Sequence, residues 1–303
     1  MKRPGRFRTA AALATLAAVL AASPAFAFKE RWHKALVWSA LPFIKESYRK
    51  QIAKIQDDMD EPLHVNYAGL DKWHFNDCDF AGASSNLASV YDDTLKALKH
   101  GKAEKAAELF GRALHTAQDF YAHTNWIDLK PAGAESMTAL IDSGAGNWQT
   151  IVPWRPLGNG LVPVSKTHPR PANLTFVKVE PPDRARLGVL IDGVQHPALI
   201  SGEATWRMNC PQEAAIGHWD DRPGQYGGLA KDYPCREPSR SFHAACTLAL
   251  RQTYQEWCRL RTLAAADKDA TKTLDTMLIA DKADAKICAE KAFLLPSFPG
   301  KCE

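Results

Sequence analysis

The sequence predicts a mainly α protein, a helical bundle with one irregular, partly β insertion. Two observations predict it. Apolar residues recur at intervals of three and four along several long windows, as a helix with one buried face requires. Between residues 130 and 238 that period disappears, prolines and glycines concentrate, and short β-branched runs take its place.

Taken in order, the first 27 residues read as a leader rather than as part of the fold. Lys2, Arg3, Arg6 and Arg8 form a basic start and Ala10 to Ala22 an apolar stretch too short to span a bilayer. Ala25-Phe26-Ala27 is a small-x-small cleavage signal. The mature chain is expected to begin near Phe28, secreted or periplasmic, from a cell of bacterial compositional style. Residues 29–57 are expected to form the first helix, with Trp32, Leu36, Leu41, Ile44, Tyr48, Ile52 and Ile55 at helical intervals. A polar connection follows from Asp57 to Lys72. Asn86 to Lys99 is the second helix. Ala103 to about Ile127 is the third, its buried side formed by Ala106, Leu109, Phe110, Leu114 and Ala117.

The insertion holds the runs Leu174–Val179 and Leu187–Ile191, which are expected as strands; a stretch this long must carry its own small sheet. Helix returns at Ser241 to about Ala265 and again from Lys268 to Ala292. The reading is one domain, residues 28–303, with its helical core at 28–129 and 239–303.

Removing the leader's four cations from the 38 Lys and Arg leaves 34, equal to the 34 Asp and Glu. Such neutrality does not favour nucleic acid as a partner, because phosphate-backbone binding wants a cationic surplus. Seven cysteines in an exported chain point to disulfides, with Cys288–Cys302 and Cys210–Cys235 as the expected pairs. Cys246 and Cys258 share a predicted helix about 18 Å apart by rise, so they cannot pair with each other.

The chemistry concentrates on the third helix. His115, Asp119 and His123 stand four residues apart. Each step of four turns a side chain by only about 40° and advances it about 6 Å, so the three share one face. Imidazole and carboxylate on one ridge suit a divalent metal of the zinc type. The two imidazoles lie about 12 Å apart along the axis, too far to share one ion comfortably. They suit a polynuclear cluster bridged by Asp119. Elsewhere, His74 lies between aromatics at the mouth of the second helix, and Asp57-Asp58-Met59-Asp60 is an acidic run. Further candidates are His33, His218 with Asp232 in a glycine-rich stretch, and His243. His100, His168 and His196 sit at a helix end or beside proline, and His64 is undecided. No nucleophile elbow, P-loop or dinucleotide fingerprint is present.

Gly111-Arg-Ala-Leu-His115, with Gln118-Asp119, His123 and Asn125, resembles the signature helix of the zinc-dependent phospholipases C. It is closer still to the heterokaryon incompatibility protein C (Het-C) group, which carries a similar His-Thr-Leu-Gln-Asp-Phe-Tyr-Ser-His-Ser-Asn-Trp stretch. His74-Phe75 with Asp77 resembles the His-Phe segment of those enzymes. The stretch from His218 through Gly227–Asp232 to His243 looks like the later half of the Het-C group. The resemblance implies a phospholipase C-like bundle with two or three zinc ions held by His74, His115, Asp119 as bridge and His123, and with His33 and His243 as further ligands. Asp60 or Asp58 is then a ligand or the general base.

Three departures stand out. Phe28 replaces the N-terminal Trp, the ridge has three rather than five residues between Asp119 and His123, and Thr247 stands where the phospholipases have Glu. His218 or Asp232 is then the substitute ligand at a third metal. The implied activity is hydrolysis of phospholipid to diacylglycerol and a phosphorylated head group at a membrane surface, with Trp148, Trp154 and Trp206 as an aromatic lip. The rival expectations are a zinc nuclease and a non-catalytic, metal-bound module.

Overall fold

The computed structural model describes residues 30–60, 71–129, 151–157, 160–165, 168–177, 188–201, 240–279 and Cys288. The expected leader, the Cys210–Cys235 pair, Trp148, Trp206, His64, His218 and Asp232 lie outside these residues. The molecule is mainly helical with a small sheet in the insertion, as the sequence predicts.

The first expected helix is two, α1 (Glu30–Ala40) and α2 (Glu46–Asp60). Pro42 has no N–H to continue the ladder and biases Leu41 away from helical geometry. The chain turns there, and Ile44 forms an antiparallel bridge to Leu278, beside a Lys45 N–H to Met277 carbonyl bond of 2.8 Å. Contrary to the polar connection expected from Asp57, α2 runs on to Asp60. After a short helix α3 (Asp71–His74), α4 (Phe80–Lys99) starts six residues earlier than expected. The cause is Asp79, whose carboxylate accepts the Gly82 N–H at 3.0 Å and caps the first turn. A Cβ at Gly82 would collide with that carboxylate.

Helix α5 (Ala103–His123) ends at the extended residue Thr124, and α6 (Trp126–Leu129) follows. The described part of the chain closes with α7 (Arg240–Ala264) and α8 (Lys268–Thr276), the latter capped by Asp267. Helix α5 is the axis of the bundle and packs against α2, α4 and α7; α1 lies across α2 and α7. From Phe110 to Trp126 every residue of the chain is buried except Arg112. The five apolar positions expected on its buried side, Ala106, Leu109, Phe110, Leu114 and Ala117, are all buried. Gly111 is the close point between α5 and α2: a Cβ there would stand 3.1 Å from the Ile52 carbonyl oxygen and from Ile55 Cβ. The Gln56 amide donates to the Gly111 carbonyl at 2.9 Å, which pins the two helices together one turn before His115.

The insertion contributes β1 (Val162–Pro163), β2 (Leu174–Val177), β3 (Gly188–Ile191) and β4 (Val194–Leu199), in sheet order β1-β4-β3-β2. β1 and β4 are parallel; β4 with β3 and β3 with β2 are antiparallel. Asp192 and Gly193, at φ 50° and 79°, make the two-residue turn between β3 and β4. Asp-Gly suits it because both central positions need the left-handed region. The sheet is tied to the ridge helix just past His123. Asn125 donates through Nδ2 to the Ala198 carbonyl and accepts the Ile200 N–H, both at 3.0 Å.

Cys258 pairs with Cys288, their Cα atoms 5.4 Å apart, which overturns the expected Cys288–Cys302 pair. The bond joins the C-terminal segment to α7 rather than closing the tail on itself. Cys78 is also disulfide-bonded, and Cys246 is a buried thiol on α7, unpaired with Cys258 as the helical spacing requires. Trp154 is buried at 6% exposure against Phe176, so it packs in the insertion's core and forms no lip. No helix among the described residues is long and apolar enough to cross a membrane.

Candidate metal centre

Four elements converge on one buried point. Helix α5 supplies His115, Asp119 and His123, the ridge the i,i+4 spacing predicts. Helix α1 supplies His33, the end of α2 supplies Asp60, and α3 supplies His74. Asp119 is the hub. Its Oδ1 lies 3.2 Å from His33 Nε2 and 3.7 Å from His123 Nε2. Its Oδ2 lies 2.7 Å from His74 Nδ1 and 3.1 Å from His115 Nε2. Asp60 Oδ1 is 3.3 Å from His115 Nε2, and Asp60 Oδ2 is 3.8 Å from His33 Nε2. The His33 and His115 rings stack with centroids 4.3 Å apart.

The choice between Asp58 and Asp60 is resolved by helix phase. Two residues turn the side chain about 200°, so the two carboxylates leave α2 on nearly opposite sides. Asp60 is 2% exposed and enters the cluster. Asp58, its side chain 23% exposed, binds Lys54 at 2.7 Å on the outer face and takes no part. His243 lies in the first turn of α7, with its side chain outside the described set. His100 ends α4 at the surface, and His196 Nδ1 donates to the Gly160 carbonyl at 3.2 Å; neither joins the cluster, nor does His168.

His74 is delivered by an unusual turn. Phe75, Asp77 and Cys78 have φ of 54°, 58° and 58°, a region that costs an L-residue about 1 kcal/mol or more each. The turn is held by the disulfide at Cys78 and by the Cys78 N–H, which donates to Ser201 Oγ at 2.7 Å. A strained turn fixed from both sides gives His74 little freedom to swing away from Asp119.

The donor set fits divalent metal. Ligands about 2.0–2.1 Å from a tetrahedral ion stand about 3.3 Å from each other. The His33–Asp119, His115–Asp119 and His115–Asp60 separations match that spacing. Three groups bring their ligand atoms within 4.8 Å of one another: His33, His115 and Asp119; Asp60, His74 and His115; and His74, Asp119 and His123. An imidazole nitrogen offers one lone pair and serves one ion, whereas a carboxylate can bridge. The first and third groups together use all four imidazoles once and share Asp119 alone. By that partition the four imidazoles and Asp119 could hold two ions, with Asp60 beside His33 and His115. In addition, Asp119 Oδ1 and Asp60 Oδ2 are buried oxygens with no hydrogen-bond partner among the described residues. Such atoms are costly unless a cation meets them.

The electrostatics agree. Burial acts to strip the His115 proton, but the Asp119 and Asp60 carboxylates outweigh it and hold the imidazolium up to about 10. Burial likewise acts to raise Asp119, and His115, His33 and His123 overcome it, keeping its carboxyl well below the ordinary range. Two buried carboxylates thus demand positive charge, from protons or from metal ions competing for the same nitrogens.

Gln118 went unassigned in the sequence, although it stands beside Asp119 as a polar residue on a buried helix. It accepts from His33 Nδ1 at 2.7 Å and donates to Thr253 Oγ1 at 2.9 Å. Thr253 had no sequence signal, because its partner is 135 residues away.

A family model, the VWA7 N-terminal domain, matches residues 40–148. The matched stretch carries Asp60, His74, His115, Asp119 and His123 and leaves out His33. No curated protein and no solved structure matches the chain.

Proposed function

We propose that this protein is an exported zinc-dependent phosphodiesterase acting as a phospholipase C, which cleaves glycerophospholipid to diacylglycerol and a phosphorylated head group. The observation that carries the reading is the buried cluster of four imidazoles around a carboxylate hub with a second carboxylate beside it. The resemblance of the ridge helix to the phospholipase C and Het-C signature supports it. The disulfides at Cys258–Cys288 and Cys78 support an oxidising compartment.

When bound, paired divalent ions neutralise phosphate oxygens and make water a nucleophile near neutral pH. His33, His115, His74 and His123 would hold them together with the Asp119 carboxylate. Asp60 Oδ2 has no hydrogen-bond donor among the described residues, which leaves its lone pairs to accept or orient a proton next to His33. The strained turn at 75–78 and the Asn125 clamp keep His74 and the sheet in register with the ridge.

The test is turnover by the purified mature chain, with and without chelator, on phosphatidylcholine vesicles, a chromogenic phosphocholine ester and single-stranded DNA. Lipid turnover lost on chelation is the expected result. Cleavage of DNA alone would replace this reading with a zinc nuclease, and bound metal with no turnover would replace it with a non-catalytic module.

A further inference from the structure

We propose that Gln118 and Thr253 form a directional hydrogen-bond relay that fixes His33 as the Nδ1–H tautomer, so that Nε2 faces Asp119 with its lone pair free for metal. The inference rests on the metal-binding reading above and assigns positioning residues to it. The direction of the relay follows from one group that can act in only one way. The Ala249 carbonyl of α7 has no proton, so Thr253 Oγ1, 2.8 Å away, must donate to it. Having used its single proton, the hydroxyl can only accept from Gln118, at 2.9 Å. The Gln118 amide is thereby oriented with NH₂ toward Thr253 and its carbonyl oxygen toward His33. That oxygen accepts at 2.7 Å, so the His33 nitrogen facing it, Nδ1, carries the hydrogen.

All members of the relay are fully buried, so water does not offer a substitute partner. Reversing any link reverses the rest. With no acceptor at position 253, nothing fixes the amide's orientation; turned over, it presents NH₂ to His33 Nδ1 and places the imidazole proton on Nε2, where it blocks ligation. A metal-bound histidine is commonly oriented by the hydrogen bond of its other nitrogen, and removing that partner typically costs 10–100-fold in metal affinity. Thr253 hydrogen-bonds to Gln118 and to the Ala249 carbonyl, and through Gln118 it decides what His33 can do.

The experiment measures zinc affinity by chelator competition, with nitrogen-15 histidine spectra of zinc-loaded protein. The variants are Thr253→Val, which keeps the shape, Thr253→Ser, which restores the hydroxyl, and Gln118→Leu. The expected result is a loss of about 10–100-fold in Thr253→Val and Gln118→Leu, recovery in Thr253→Ser, and a proton on His33 Nδ1 in the wild type. Unchanged affinity in Thr253→Val, or a wild-type His33 protonated at Nε2, overturns the relay. Should the wild type bind no metal, the functional reading falls separately. The relay is then read in metal-free protein as an exchange-protected His33 Nδ1 proton. Loss of that protection in Thr253→Val upholds the relay and its persistence overturns it.

Discussion

Asp119 and Glu256 are both completely buried carboxyls, on helices α5 and α7 that pack against each other, yet they lean in opposite directions. Asp119 is held well below the ordinary carboxylate range, because three imidazoles outweigh the effect of burial. Glu256 is raised, because burial prevails over Arg259 and over the hydrogen bonds from Tyr91 and Gln252. Its surroundings form a polar pocket, in which Tyr91 and Gln252 donate to the carboxyl and Tyr121 donates to Gln252 at 3.0 Å. Burial alone therefore does not mark a functional acid. Glu256 is met by neutral donors and by the nearby Arg259 charge, whereas Asp119 is charged and gathered with potential ligands. The first pocket joins helices; the second has the composition of a metal centre.

The sharpest test of that contrast is Asp119→Asn. It removes the shared carboxylate, and elemental analysis should find metal content near zero with lipid turnover lost; retention of both ions would remove Asp119 from the centre. In metal-free protein the same change should cost about 3–5 kcal/mol in denaturant titration, the usual result of stripping one partner from a buried ionic group.

The next largest effect is in pH. His115 is raised in the folded state from about 6.5 to about 10, so in metal-free protein its stabilisation is full below about pH 6.5 and is lost as pH climbs toward about 10. Asp119, lowered, contributes above about 3.8 and loses its contribution as pH falls below that. Metal replaces the imidazole protons, so the loaded protein should gain over the same rise. Melting temperatures with and without chelator should diverge from about pH 6.5 to 9.5, and parallel curves would count against the cluster as a metal centre.

At the other carboxyl, Glu256→Leu leaves the Tyr91 hydroxyl and Gln252 amide without an acceptor and should destabilise by about 1–3 kcal/mol. Glu256→Gln keeps a neutral acceptor in place and should cost less. Metal content should stay unchanged in both; a loss of metal would join the two pockets into one functional unit. The smallest effect belongs to Asp58→Asn, an outer-face ion pair with Lys54. It should stay within about 0.5 kcal/mol and leave metal content and activity alone.

The ridge was legible because it lies on one helix, where spacing alone fixes which side chains share a face. The break at Pro42 splits what apolar spacing over 29–57 presents as one helix; proline's effect on the ladder is a local signal that the periodicity masks. The Asp192-Gly193 turn carried an equally local signal, although β4 was not marked as a strand. The distinction between Asp58 and Asp60 was of another kind, since both sit on the same acidic run. Which of them faces inward depends on where α2 contacts α5, and Gly111 and Gln56 set that contact.

Sequence alone determined the helical class, the His115–Asp119–His123 array and the helical spacing that keeps Cys246 from Cys258. Each follows from a repeat of 3.6 residues along a single segment. Tertiary structure alone decided that Asp60 enters the cluster, that Cys288 joins Cys258, that Trp154 is core, and that Thr253 directs Gln118 toward His33. These depend on which faces of distant helices meet, and packing settles that through the shapes of surfaces brought together from far along the chain.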